Sequence, residues 1–177
     1  KDLRDTKSKI LTSHLASIET KTLENKAIPY AIFKEGVVAT RICNELITDW
    51  RSYFSFLFKE NERAGFRKNP LLIKNYLVKN IEILDENYSR CPISPEGIFR
   101  LHHADLHSLN ICFVALCRSC GIPSRLNSAT RIPQYYSMGK WCDVLFDQPL
   151  AETQEYCTLI LENDSNNGIT SLMAELL

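Results

Sequence analysis

The chain has 177 residues, 45% hydrophobic and 24% charged, an ordinary globular composition with room for one compact core or a core plus a helical extension. Its formal net charge of zero excludes the basic footprint of a nucleic-acid or anionic-membrane binder. No uninterrupted apolar stretch approaches the roughly 18 residues of a membrane span, and the opening KDLRDTKSKI lacks the apolar core of a signal peptide.

In chain order, residues 2–20 set Leu3, Ile10, Leu11, Leu15 and Ile18 near helical spacing, which predicts an amphipathic helix with His14 close to its packed side. The connection NKAIPYAIFKEG follows, where Pro29 and Gly36 argue against continuous helix. ATRICNELITDWRSYFSFLF returns to helical periodicity with a heavy aromatic load, Trp50, Tyr53, Phe54, Phe56 and Phe58. Such a stripe suits core packing first and a ligand second. Asn69-Pro70 signals a helix start, because proline's missing N–H costs nothing at the first helical position. Ile73, Tyr76, Leu77, Asn80, Ile81 and Leu84 then continue one face. The loop NYSRCPISPEG ends this helical part, residues 1–90.

Residues 91–177 are expected to hold a central helix and antiparallel strands. From Leu109 to Cys117 every residue except Asn110 is apolar, which predicts a helix surrounded by protein. Gly121 suits a left-handed cap, and Pro123 prevents continuation. The pattern then switches to short strands, PSRLNSAT, PQYYS, KWCDVLF and EYCTLILE, with turn signals SMG and NDSNNG and a strand-like ITSLMAELL at the end. Helices first and strands afterwards make an α+β domain, a central buried helix packed on a small antiparallel sheet. The chain begins and ends mid-pattern, so it reads as one domain excised from a longer protein.

The seven cysteines are Cys43, Cys91, Cys112, Cys117, Cys120, Cys142 and Cys157. Cys117 and Cys120 form a C-x-x-C inside an apolar run without a second pair at zinc-finger spacing, so they read as small buried side chains and not as a metal site.

The run ADLHSLNICFVALCRSCGIPSR resembles the transglutaminase-like superfamily, which shares the papain-like cysteine-protease fold. Asp105, Arg118, Gly121-Ile122-Pro123 and Arg125 match that family's helix and Gly-Ile-Pro-x-Arg pattern without gaps, and Trp141 with Asp143 matches the later strands. The resemblance covers roughly residues 95–150 and implies a papain-like fold. IPYAIFKEGVVATRICNELITDWRSYF, CPISPEGIFRL and SRLNSATRIPQYYSMGKWCDVLFD resemble a subgroup of large, multidomain bacterial transglutaminase-like proteins. That narrower likeness spans most of residues 28–148 and implies an extracytoplasmic location, with further domains of the same chain as partners.

The family chemistry needs a thiol acidified at a helix N-terminus, an imidazole to take its proton and a carboxylate to orient the imidazole. The gapless match puts Leu106 at the thiol position. No histidine follows His107, so the imidazole position is vacant too, whether Gly139 or a residue within Pro133–Tyr136 occupies it. Asp143, with Asp147 second, is left as a vestigial acid. Cys112 lies six residues beyond Leu106, about 9 Å along a helix, too far to replace it.

Two other groupings stand out. His102, His103, Asp105 and His107 contain an i, i+4 histidine pair, which reads as helix capping by Asp105 in preference to a metal site. Gln134, Tyr135, Tyr136 and Trp141 form an aromatic-polar patch suited to peptide or carbohydrate, with at least one tyrosine turned to the core by strand alternation. The candidate binding residues are therefore Asp105, His107, Gln134, Tyr135, Tyr136 and Trp141. The expectation is a degenerate, non-catalytic transglutaminase-like module without cofactor or metal. The alternative is a hydrolase or acyl-transfer enzyme using a non-standard site at Asp105 and His107, with or without a metal.

Overall fold

The computed structural model of the chain describes residues 6–18, 28–85, 87 and 91–146. Its α-helices are α1 (Ser8–Ala16), α2 (Tyr30–Phe33), α3 (Trp50–Leu57), α4 (Glu60–Lys68), α5 (Leu71–Asn80), α6 (Pro95–Leu101) and α7 (Leu106–Ser119). A π-helical turn, Lys34–Val38, continues α2. The strands are β1 (Glu82–Leu84), β2 (His103–Asp105), β3 (Ser124–Leu126), β4 (Pro133–Ser137) and β5 (Lys140–Asp143). β1 and β2 pair in parallel, and β3, β4 and β5 form an antiparallel sheet in that order.

The fold is α+β, built around α7 as the sequence predicts. Asp105 caps the helix start, its Oδ1 accepting the Ser108 N–H at 3.0 Å. At the far end the Ile122 N–H bonds the Cys117 carbonyl at 2.9 Å, the Gly121 N–H bonds the Arg118 carbonyl at 3.1 Å, and Gly121 takes φ +79°. This is a Schellman ending, in which a residue without Cβ turns left-handed so that orphan carbonyls regain donors. Leu109 and every residue from Ile111 to Cys120 are buried. α3, α5, α6, β3, β4 and the π turn all pack against this helix. Truncating one of its large apolar side chains to alanine costs about 2–5 kcal/mol.

Two buried arginines fasten the C-terminal half of α7. Arg118 donates to the carbonyls of Ala39 at 2.7 Å, Arg41 at 3.1 Å and Ser124 at 2.9 Å. Arg51 donates to the Arg118 carbonyl at 2.9 Å and to the carbonyls of Val37 and Val38. Burial, then repulsion from Arg118, lowers Arg51 to about 9, and burial lowers Arg118 to about 10. Both remain charged at neutral pH, and their hydrogen bonds close carbonyls that burial would otherwise leave unmet.

Several segments depart from the sequence expectation. NKAIPYAIFKEG is not a bare connection, since α2 and the π turn occupy Tyr30–Val38. Gly36 is there for space: a Cβ on it would meet the Pro123 Cβ at 3.1 Å and the Ser124 N at 3.2 Å. The long helix expected from Ala39 begins only at Trp50. In the loop before it the Glu45 carboxylate takes the Ile42 and Cys43 N–H groups, each at 2.8 Å, and so competes with helix for backbone donors. α4 has no counterpart in the sequence reading. Its Glu60 and Glu62 sit in the first turn and its Arg67 and Lys68 in the last, as the helix dipole favours. Leu84, expected on the face of α5, belongs to β1 instead, paired with Asp105.

Trp50, Phe54 and Phe58 join the core as expected, but Phe56 is 93% exposed. On α1 the buried residue is His14, while Leu15 faces solvent. PQYYS and KWCD pair as β4 and β5 through a turn in which Met138 and Gly139 both have positive φ, the geometry a tight hairpin requires. Leu3, Asp147, Cys157, EYCTLILE, NDSNNG and ITSLMAELL lie outside the described residues.

Candidate functional site

The N-terminus of α7 is where the sequence places the chemistry. β1 and β2 lie side by side beneath it, with Leu84 opposite Asp105, so the capping residue is the end of a strand and the start of a helix at once. Leu106 is the first helical residue and is 43% exposed. An apolar side chain therefore stands in the open at the position of strongest helix-dipole field, with no atom able to attack a carbonyl.

The polar atoms here are consumed by structure. Asp105 Oδ2 accepts hydrogen bonds from the Ser108 hydroxyl and, at 2.7 Å, from Asn87 Nδ2. Asn87 Nδ2 also reaches the Cys91 carbonyl at 2.9 Å, and Ser108 Oγ accepts the Ile93 N–H at 2.9 Å. Burial alone would push the Asp105 carboxyl up, but these donors outweigh it and hold the group below its ordinary range. A carboxylate so saturated and so acidic is a poor general base. Asn87 and Ser108 were not singled out in the sequence; the Asp-x-x-Ser spacing of a capped helix is the signal that would have found Ser108.

The histidines do not assemble. His102 ends α6 in a left-handed conformation at φ 58°, His103 lies in β2, and only His107 is on α7. His103 and His107 thus share no helical face, because the helix starts three residues too late for the i, i+4 argument. Among the described residues no three His, Cys, Asp or Glu side chains are grouped to hold a metal ion.

The interior thiols among the described residues are shut away from solvent. Cys112, Cys117 and Cys120 are fully buried, and burial raises all three thiols above their ordinary range. Of the described cysteines, Cys91 is exposed and Cys43 and Cys142 are half-buried.

The aromatic-polar patch forms, and the structure divides it. Ser124 Oγ donates to the Val114 carbonyl at 3.0 Å, so the face of β3 carrying Ser124 looks onto α7. Alternation then turns Arg125, Gln134, Tyr136, Trp141 and Asp143 to the opposite face. Tyr135 packs against the core. On the outer face Arg125, Gln134 and Asp143 stand in one row across the three strands. Arg125 Nε donates to Gln134 Oε1 at 2.9 Å, and Gln134 Nε2 donates to Asp143 Oδ1 at 2.6 Å. The Arg125 guanidinium lies 4.1 Å from the centre of the Trp141 ring, and Tyr136 meets that ring edge-on at 5.3 Å. Asp143 is thus engaged on the sheet face turned away from α7. Gly139 sits in the hairpin turn with open space around it, whereas Pro133–Tyr136 belongs to β4 itself.

No curated protein and no solved structure matches this chain. Residues 59–148 match the family model of the transglutaminase-like superfamily core. That span holds α7, its capping strand, the Gly-Ile-Pro turn and the three-stranded sheet, about half of the sequence, and on this match the chain belongs to the transglutaminase-like superfamily.

Proposed function

We propose that this domain is a non-catalytic member of its superfamily, a binding or structural module of a larger protein. The observation that carries the reading is Leu106, half-exposed at the first position of α7, where the chemistry requires a thiol. Three further features support it. No histidine follows His107 in the sequence, the interior thiols are buried and held protonated, and Asp105 is spent on capping. The outer sheet face, with Arg125, Gln134, Tyr136, Trp141 and Asp143, is the surface proposed to bind a partner. Because Arg125 covers one face of Trp141, that surface suits a polypeptide with carboxylates better than a sugar ring stacked on the indole. The resemblance to large multidomain bacterial proteins supports an envelope location and partners in the same chain.

The reading is tested by incubating the protein with glutamine-containing peptides and a fluorescent primary amine, before and after exhaustive alkylation with iodoacetamide. The expected result is no thiol-dependent amide exchange or hydrolysis. Turnover that iodoacetamide abolishes, traced by mass spectrometry to one cysteine, would sink the proposal. The reading that uses Asp105 and His107 as a non-standard catalytic pair predicts turnover that resists alkylation and disappears in His107→Ala.

A further inference from the structure

The helix α1 is seated on α3 by one buried ring and a few hydroxyls. His14 is its one fully buried side chain, whereas Ile10 and Leu11 are half-buried and Leu15 faces solvent. The His14 ring meets the Trp50 indole edge-on at 4.7 Å, and its Nε2 donates to the Thr48 carbonyl at 2.7 Å. Ser13 Oγ donates to Asp49 Oδ2 at 2.7 Å and lies 3.0 Å from Ser52 Oγ, which Ser17 Oγ also reaches at 3.2 Å. α3 packs on α6 and α7 as well, and its Trp50 and Phe54 belong to the main core. That packing survives the loss of α1.

The seat accepts only a neutral ring. The Thr48 carbonyl can only accept, so Nε2 carries the proton and Nδ1 is a bare nitrogen. Nδ1 is buried and has no hydrogen-bond partner among the described residues. A second proton would place an N–H and a positive charge there with no acceptor in reach, which is costly in a buried site. Two charged groups face the ring and oppose each other. Arg51, whose guanidinium lies 4.6 Å from the centre of the same indole, repels an imidazolium, and Asp49 attracts it. Burial is the largest influence, ahead of the Thr48 bond, and the balance holds His14 below its ordinary value of 6.5. Once α1 detaches, water solvates the charged ring and the ordinary value returns. A peripheral helix opens at lower free energy than the whole domain, so the proton drives this step before global unfolding.

We propose that α1 is an acid-released strap, which leaves α3 when His14 takes up a second ring proton while the core around α7 stays folded. Release uncovers the edge of the Trp50 indole and the Asp49 and Ser52 oxygens that α1 now engages. The inference does not depend on the proposed loss of catalysis, since none of these residues belongs to the α7 terminus or the outer sheet face.

The test is amide hydrogen exchange of the full chain, followed by NMR at pH 7.5 and pH 5.0, with rates corrected for their intrinsic pH dependence. A single group with a free value near 6.5 can raise an opening constant by at most about thirtyfold over that interval. The amides of Thr12 to Ala16 are expected to lose protection by at least about fivefold at the lower pH. The α7 amides of Phe113 to Leu116 are expected to stay at least about a hundredfold better protected than those of α1 at both pH values. His14→Gln keeps a donor for the Thr48 carbonyl without a titrating nitrogen, and should hold α1 protection constant between the two conditions to within about twofold. If that variant fails to seat α1, the wild-type ring decides, since the NMR titration of His14 must then fall below 6.5. Protection in α1 that is unchanged or higher at pH 5.0 overturns the proposal; a rise would mean that Asp49 captures the imidazolium. So does protection equal to that of α7, which would make α1 part of the global unit, or protection already absent at pH 7.5. An equal loss in His14→Gln, or a His14 titration at or above 6.5, overturns it as well.

Discussion

The two ends of α7 have met opposite fates. At the C-terminal end, Arg118 bonds three segments, Gly121 closes the helix, and Gly36 lets the π turn approach Pro123. At the N-terminal end, Asp105 caps the helix, but the next residue, Leu106, stands half-exposed and bonds nothing beyond the backbone. On the proposed non-catalytic reading, Asp105, Arg118 and Gly121 match the family in packing or hydrogen-bonding roles, Asp143 is held by a hydrogen bond from Gln134, and the two positions proposed vacant are the nucleophile's and the imidazole's. On that reading a fold keeps what its stability needs, and a superfamily signature can persist without the superfamily's activity.

The sharpest way to break this contrast is to remove Arg118. Arg118→Met leaves the buried Ser124 carbonyl and the half-buried carbonyls of Ala39 and Arg41 without this donor. At about 1–3 kcal/mol for a buried unmet group and less for the half-buried ones, the loss of unfolding free energy is expected to be about 2–4 kcal/mol by urea denaturation. A loss under 1 kcal/mol would mean that Arg118 does not fasten this end. Gly36→Ala comes next. Its new methyl meets proline ring and backbone, which cannot swing away, and about 1–3 kcal/mol of destabilisation is expected by the same measurement.

How much of this was legible in the sequence follows the same division. α7, its Asp105 cap, the Gly121 ending and the β4–β5 hairpin could be read because each rests on local rules: apolar saturation, capping and turn residues. The π turn could not, since Gly36 looks like a breaker until Pro123, remote in sequence, is brought against it. Nor could the parallel pairing of β1 and β2, because two three-residue strands carry too little pattern to be told from helix ends. The site residues were identified as types, but their grouping was not. Strand alternation separates Tyr135 from its neighbours, and only the fold shows that Asp143 pairs with Gln134 and that the histidines are on different elements.

Acid titration compares the N-terminal end of α7 with the docking of α1. Asp105 is held below the ordinary carboxylate range, so its contribution is present above its unfolded value near pH 4 and is lost as pH falls through the folded value. Asp105→Ala should remove about 1 kcal/mol at neutral pH and flatten this acid limb. His14 behaves at higher pH. Its Nε2 lies 2.7 Å from the Thr48 carbonyl, which can only accept, so Nε2 carries the proton and Nδ1 is the bare, unpartnered atom. Burial, opposed by that hydrogen bond, lowers its pKa from 6.5. The unfolded chain therefore binds the proton first, and stability falls as pH drops below about 6.5 toward the folded value. His14→Gln should flatten the thermal-stability profile between pH 7 and pH 5 without touching the more acidic limb. An unchanged profile there would show that His14 takes up its proton at the same pH in the folded and the unfolded chain.

The smallest stability effect is expected at Leu106 itself, and it is the most informative about function. Leu106→Cys removes a half-exposed side chain and should change unfolding free energy by less than about 1 kcal/mol. The new thiol would stand at the first position of α7, in the field of the helix N-terminus, which lowers a thiol's pKa. At pH 7 it should react with iodoacetamide several-fold faster than exposed Cys91, with mass-mapped adducts giving both rates in one sample. Amide exchange should remain undetectable, because acidity from the helix supplies a nucleophile but no imidazole to move the proton to the leaving group. Fast alkylation without turnover would support the proposed reading, a helix N-terminus that acidifies a thiol with no imidazole to work beside it. A rate no faster than that of Cys91 would mean that the N-terminal end of α7 does not acidify a thiol placed there.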